Sequence, residues 1–513
     1  MNAKLAEFLQ RKEKLEQGGG EAKIKQQHEK GKLTARERLE LLFDKGTFHE
    51  FGLFVKHRCV DFGMDKKEIP AEGVLTGYGK VNGRSVFAFA HDFTVLGGAL
   101  GEMQGRKINR IQDAALEARV PLIGLNDSGG ARIQEGIDTA AYGDIFYRNV
   151  QASGVIPQIS AIMGPCAGGA TYSPALTDFV ITVDKTSEMF ITGPQVIKAV
   201  TGEDVDKETL GGAYTANSVS GVAHLLADND NECIEQIKKI LDFLPSNCNE
   251  KPPVYPTKDD ARRYIEELNE IIPENSREPY EIKDVIQHIV DDGEFFEIQP
   301  LYAQNMVIGF ARMNGQSIGV VANQPMYMAG CLDIAASEKA ARFIRTCDAF
   351  NVPLICLVDV PGYLPGVNQE HNGIIRRGAK MLYAWSEATV PKITISLRKV
   401  YGGATAAMCS REMKADIIMA WPTTEQAVMG AAGAAQIIFK KEIDKSENPA
   451  ETRARLTEEY QELFNNPYKA ASREMIDEII EPSQTRIKII AGLELLKNKQ
   501  QVRIPRKHGN IPL

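Results

Sequence analysis

Apolar residues between positions 3 and 17 recur at helical spacing, and Gly18-Gly19-Gly20 ends the run, which predicts a short amphipathic helix. A second, polar helix leads to Thr34-Ala35-Arg36-Glu37, whose Thr-x-x-Glu form is a capping box. Together these make an N-terminal helical collar. From Glu72 the period changes: short apolar runs at Val86 to Ala90, Pro121 to Leu125, Ile156 to Met163 and Phe179 to Val183 alternate with helical stretches such as Met103 to Arg119. That alternation predicts an α/β fold. The stretch from Leu244 to Pro256 holds Pro245, Pro252, Pro253 and Pro256 and reads as a linker. Beyond it a helix near Tyr280 to Asp291 restarts the α/β alternation, which continues to about Gly433. Charged helices from Asn448 to Lys497 follow, predicted to form a peripheral or docking layer.

The two stretches on either side of the linker repeat one another. Gly83 in Val81-Asn82-Gly83 and Gly315 in Met313-Asn314-Gly315 stand 232 residues apart, as do Asp127 and Asp359 at the ends of matching apolar runs. Gly168-Gly169-Ala170-Thr171 and Gly402-Gly403-Ala404-Thr405 stand 234 apart. So small a drift over such a length means duplication of a whole domain, since solenoid repeats recur every 20–50 residues or so. The predicted domains are 1–255 and 256–513, each long enough to bury its own core.

Charge and cysteine content narrow the function. Against 68 Asp and Glu the chain sets 60 Lys and Arg, a net charge of −8 with no basic field, so no nucleic-acid partner is expected. Its 8 cysteines include no CxxC pair, which fits a reducing compartment and a cytoplasmic protein. No signal peptide or membrane-length apolar run is visible. His91, His224 and His371 have no metal-ligand spacing, so each is expected to be satisfied or exposed.

In each repeat an apolar run enters a Gly-Gly-Ala turn with helix-compatible sequence after it. Backbone N–H groups in such a turn can point at an oxyanion and hold an enolate; the same sequence can equally be a tight turn with close backbone packing. There is no GxxxxGK[ST], no GxGxxG after a strand and no GxSxG, so phosphate-loop, dinucleotide and serine-hydrolase readings fall away. Asp127 and Asp359 are expected to cap the turns that follow them. Donors without an evident acid or base suggest enolate chemistry in which the proton is moved by something other than the protein.

Five segments carry a resemblance. Gly31-Lys32-Leu33-Thr34-Ala35-Arg36-Glu37-Arg38-Leu39, Asn126 to Gly136, Gly164 to Ala170, Asp359 to Gly366 and Ala420-Trp421-Pro422-Thr423 resemble the acyl-CoA carboxyltransferase family over nearly the whole chain. The likeness is nearest to propionyl-CoA carboxylase beta chains and methylmalonyl-CoA decarboxylase alpha subunits. It implies two tandem crotonase-like (ClpP/crotonase) domains and a homohexamer with sites between subunits. It also implies backbone donors at Gly168 and Gly169 for the thioester oxygen of a coenzyme A substrate, and at Gly403 and Ala404 for the ureido oxygen of biotin. Ala170, Thr405 and Ala406 would line the substrate, the last two at the place where relatives sense acyl-chain size and commonly carry an aromatic residue. His91 stands where relatives often carry Gln. No Ala-Met-Lys-Met biotin attachment site is present, so the resemblance implies a separate biotinylated carrier protein, with a biotin carboxylase or a membrane decarboxylase subunit as further partner. A self-contained crotonase-type hydratase, isomerase or hydrolase, and a non-catalytic scaffold for carrier subunits, are the alternatives.

Overall fold

A computed structural model, describing residues 2–136 and 139–511, gathers the apolar runs into two 8-stranded sheets. The chain divides into units Met1–Lys251 and Pro252–Leu513, one sheet in each. In the first unit the strands are β1 (His49–Phe51), β2 (Val74–Val81), β3 (Arg84–His91), β4 (Leu122–Ser128), β5 (Gln158–Ala167), β6 (Phe179–Val183), β7 (Glu188–Phe190) and β8 (Leu225–Ala227). In the second they are β9 (Phe295–Ile298), β10 (Met306–Met313), β11 (Gln316–Asn323), β12 (Leu354–Val360), β13 (Lys392–Tyr401), β14 (Ile417–Ala420), β15 (Glu425–Ala427) and β16 (Glu478–Ile479). The orders β1-β2-β3-β4-β5-β6-β8 and β9-β10-β11-β12-β13-β14-β16 match strand for strand, with β7 beside β5 and β15 beside β13. The first three strands of each sheet pair antiparallel, and the rest are parallel. Every residue of β4 and β12 is buried, as parallel strands covered on both faces require.

The repeated sequence landmarks have structural causes. Asn82-Gly83 and Asn314-Gly315 are two-residue hairpin loops with positive φ at both positions, the type I′ geometry that Asn-Gly adopts at little cost. A carboxylate accepts both turn N–H groups each time, Asp44 in the first unit (3.0 and 2.8 Å) and Asp291 in the second (2.9 and 2.7 Å). Lys107 and Lys339 form a further pair 232 apart; each is buried, with Nζ donating to backbone carbonyls, Ala71 and Val74 in one case, Gln299 and Tyr302 in the other.

Asp127 and Asp359 sit where β4/β5 and β12/β13 each slip register by a bulge. Their role is structural, yet it is ion pairing more than turn capping. Asp127 is fully buried and takes Lys32 Nζ at 2.7 Å, Arg38 at 2.8 Å and Gln27 Nε2 at 3.0 Å. Arg38, also fully buried, reaches Asp230 at 2.7 Å and the Met163 carbonyl at 2.9 Å. The collar thus supplies the cations of a core carboxylate. Its Thr34–Glu37 capping box is present and starts the helix Ala35–Leu42 that carries Arg38. Asp359 instead takes Arg398 at 2.9 Å from the neighbouring strand β13. The position equivalent to Arg398, in the 234-residue register, is Gly164, where a Cβ would lie 2.0 Å from the Asp127 carboxylate and 2.5 Å from Lys32 Nζ. A side chain missing from β5 makes room for a cation from elsewhere.

The expectation of a peripheral C-terminal layer needs correction. After the charged helix Pro449–Phe464 the chain returns as β16 on the sheet edge, and the helix Thr485–Leu496 sends Ile489 and Leu493 into the main core of the second unit. Arg486 of that helix is fully buried on Asp291, the residue that holds the Asn314–Gly315 turn. Equivalent strand positions stand 238 apart at Ile181 and Met419 but 253 apart at Leu225 and Glu478, so an insertion before the last strand hid the match. Among the described residues no helix is long and apolar enough to cross a membrane.

Removing Arg38 alone leaves Asp127 and Asp230 short of a buried partner, and breaking such a cluster costs about 3–5 kcal/mol. Arg38→Met is expected to lower the first denaturant-induced unfolding transition by that order. Adding Asp127→Asn to it should restore part of the loss; a strictly additive double variant would contradict the pairing.

Candidate functional site at the paired glycine turns

Both glycine turns lie at the carboxyl ends of central strands. β5 passes into a single 3-10 turn, Gly168–Thr171, and then the helix Tyr172–Ala175; β13 passes through Gly402-Gly403 into the helix Ala404–Ala407. Gly168 and Gly402 have φ of 62° and 59°, a left-handed conformation that glycine adopts freely. At Gly169 a Cβ would lie 2.9 Å from the Tyr142 ring, so packing also demands glycine there; at Gly403 the space is open.

Gly402 N–H is used internally, donating to the Ala427 carbonyl at 3.1 Å. Among the described residues the N–H groups of Gly169, Gly403 and Ala404 have no acceptor, whereas the 3-10 turn directs Ala170 N–H back to the Ala167 carbonyl. Gly402 and Gly403 are exposed, and Gly168, Gly169 and Ala170 are half-buried. Ala170 packs against the cluster of Ile162, Cys166 and Val180, while Thr405 and Ala406 are half-buried at the start of the helix that follows the second turn. The structure therefore sets all the sequence-predicted residues at two equivalent donor turns, one in each unit.

Sequence reasoning missed a second loop beside each turn. Leu96–Gly98 and Met328–Gly330 form 3-10 turns at the 232-residue register, with Gly98 and Gly330 at φ of 62° and 78°. A Cβ on either would lie 2.3 or 2.6 Å from the carbonyl oxygen of Asp127 or Asp359. Among the described residues the N–H groups of Gly97 and Ala329 also lack acceptors. The Gly97 carbonyl accepts Gly129 N–H at 2.9 Å, and a Cβ on the next residue, Gly130, would lie 3.3 Å from the Ala167 carbonyl, so loop and turn are neighbours. The second loop carries a single glycine in the second unit, which is why composition did not reveal it; the register would have.

The thiol that packs beneath the first turn is no nucleophile. Burial pushes the Cys166 thiol up to about 12, so it stays protonated at neutral pH. Burial likewise raises the Asp359 carboxyl and lowers the Lys399 amine. His224 Nδ1 accepts Val180 N–H at 3.0 Å and His371 is exposed. His91 is buried beside Asp127 with Nδ1 unpaired, and burial lowers its pKa to about 4. No group of three or more His, Cys, Asp or Glu side chains among the described residues is arranged to hold a metal ion. What remains is a set of backbone donors, chemically suited to negative charge building on an oxygen.

Twin α/β sheets of matching strand order are the two similar domains of a crotonase-fold carboxyltransferase. The model of the carboxyl transferase domain matches residues 26–511, so the chain belongs to that family, whose members are biotin-dependent and act on coenzyme A thioesters. It is 60% identical to the methylmalonyl-CoA decarboxylase subunit alpha of Veillonella parvula, over 98% of this chain and 97% of that protein. It is 54% identical to the mitochondrial propionyl-CoA carboxylase beta chain of Mus musculus, over 97% and 91%. The crystal structure of transcarboxylase 12S, described as a hexamer assembly with methylmalonyl-coenzyme A bound, superposes with a TM-score of 0.98 at 52% identity, over 100% of this chain and 98% of that one.

His91 yields a pH test. Its pKa is 6.5 in the unfolded chain and about 4 in the folded one, so between those values the unfolded state binds the extra proton and stability falls as the pH falls. His91→Gln should remove roughly 3 kcal/mol of this acid sensitivity. Urea midpoints measured from pH 7 to pH 4 should flatten relative to the native protein; parallel curves would show that His91 is not the titrating group.

Proposed function

We propose that the chain, as the carboxyltransferase subunit of a biotin-dependent enzyme, moves a carboxyl group between a carboxylated biotin on a separate carrier protein and the α-carbon of propionyl-CoA or methylmalonyl-CoA. The observation that carries this reading is the doubled donor turn. Gly168 and Gly169 in the domain 1–255 would hold the thioester oxygen, where charge grows as the α-carbon becomes an enolate, with Ala170 against the acyl chain. Gly403 and Ala404 in the domain 256–513 would hold the ureido oxygen of biotin, with Thr405 and Ala406 beside the substrate.

The residues of the second turn fit biotin. The Gly403 N–H is free and exposed with open space beside it, which suits a urea oxygen, while Ala404, the second donor of this reading, is itself buried. Biotin, when bound, carries the carboxyl group and takes up the proton. The chain itself places donors. Each such donor contributes about 3 kcal/mol to barrier lowering. Small residues at Thr405 and Ala406 leave room for a methyl-branched acyl group.

The same reading makes the protein a cytoplasmic homohexamer that works with a biotinylated carrier and with a biotin carboxylase or a membrane decarboxylase subunit. Eight free cysteines support the reducing compartment. The hexamer is supported by the likeness to transcarboxylase 12S.

Gly403→Pro is a probe of this donor because Gly403 has a φ of −66°, which proline adopts, and the change deletes the N–H. Biotin-stimulated loss of methylmalonyl-CoA should fall about 10²–10³-fold while the circular dichroism spectrum stays native. In the native protein methylmalonyl-CoA should be consumed only with free biotin or biotinylated carrier present, and faster than malonyl-CoA; biotin-independent turnover would point instead to a self-contained crotonase-type enzyme.

A further inference from the structure

We propose that the Tyr401 hydroxyl is a positioning group for the donor turn of the second unit, holding Gly403 and Ala404 in place for the biotin ring; this rests on the assignment of that turn to biotin made above. Tyr401 is the last residue of β13, immediately before Gly402, and is only 8% exposed. Its hydroxyl donates to the Glu425 carboxylate and accepts from Asn465 Nδ2 at 3.3 Å. Glu425 begins β15, whose last residue, Ala427, accepts the Gly402 N–H at 3.1 Å. The turn is therefore held to one short strand at two points, by a backbone bond and by a phenol.

Comparison of the two units isolates the hydroxyl. β5 pairs with β7 and β13 with β15 in the same register, Ala167 opposite Phe190 and Tyr401 opposite Ala427. In each unit one aromatic ring and one alanine fill this pair, but the ring comes from opposite strands. Both rings meet an equivalent glycine: a Cβ at Gly193 would lie 3.5 Å from Phe190, and one at Gly430 would lie 3.5 Å from Tyr401. The first unit builds its turn with a phenylalanine, so a ring suffices to fill the space and the hydroxyl is not needed to form the turn. Glu188, the counterpart of Glu425, is correspondingly free of a phenol and pairs with Lys207 at 2.9 Å. The hydroxyl and its two partners are thus particular to the second turn. Asn465 caps the helix Pro449–Phe464, so the lock also ties the turn to the inserted helical segment, which the first unit matches only with shorter helices.

The test is steady-state kinetics on the full chain, with methylmalonyl-CoA as substrate and free biotin as the probe, varying each at saturation of the other. Tyr401→Phe keeps the ring and deletes the lock; Glu425→Gln keeps the strand and weakens it. Both variants should raise the KM for biotin at least threefold, Tyr401→Phe the more, with the KM for methylmalonyl-CoA unchanged. An unaltered biotin KM in both variants, or equal shifts in both KM values, would overturn the proposal. A native protein whose turnover is indifferent to biotin would overturn the assignment of the turn itself, and this proposal with it, so the two failures are distinguishable.

Discussion

A carboxylate buried at the end of a central strand is the constraint around which each unit is arranged. Asp127 and Asp359 sit on the bulge that lets β4 and β12 diverge from the strand bearing the donor turn, and their carbonyls press on the second loop. An ionised carboxylate in such a place must be paired. The second unit meets the demand within its sheet, through Arg398. The first has a glycine there and meets it with Lys32, Arg38 and Gln27, three residues of a helical collar that precedes the sheet. The segment Gly31 to Leu39, read first as a family signature, is in physical terms the delivery of the two cations, Lys32 and Arg38.

Much of this architecture is legible in the chain because hydrophobic periodicity and turn chemistry agree. Buried parallel strands show as continuous apolar runs, Asn-Gly marks the hairpins, and a common register ties the halves together. Strand ends shifted by only a few residues: the run Ile156 to Met163 became Gln158–Ala167. Three features were hidden, each for a definable reason. The partners of Asp127 lie 89–100 residues away, so no local pattern contains them. The edge strand β16 is two residues long inside a charged segment, and a short edge strand has little apolar signature. The loop at Met328 achieves positive φ largely with ordinary residues, Met328 and Ala329, so the Gly97-Gly98 pair of the first loop has no matching glycine pair to announce it.

The candidate site was legible as a pair of turns because glycine is needed there for two separate reasons, left-handed backbone at Gly168 and Gly402 and contact with Tyr142 at Gly169. How the two turns differ was not. The copies kept a common strand map while exchanging which strand carries the aromatic ring and which segment carries the cation. Divergence after duplication acted on side chains that support the donors, leaving the donors themselves in place. That is the pattern expected if two equivalent oxygen-binding turns came to serve different oxygens.

The exchange of cations also sets an order on how the molecule acquires its shape. In the second unit the pair Asp359–Arg398 closes a span of 39 residues, whereas Asp127 must find Lys32 across 95. The longer closure carries an entropic penalty greater by about 0.8 kcal/mol, small at equilibrium but placed where non-local contacts slow folding. During synthesis the collar emerges first and its basic side chains stay hydrated until β4 has been made. The first unit consequently depends for completion on a segment that precedes its sheet, while the second carries what it needs within its own sheet.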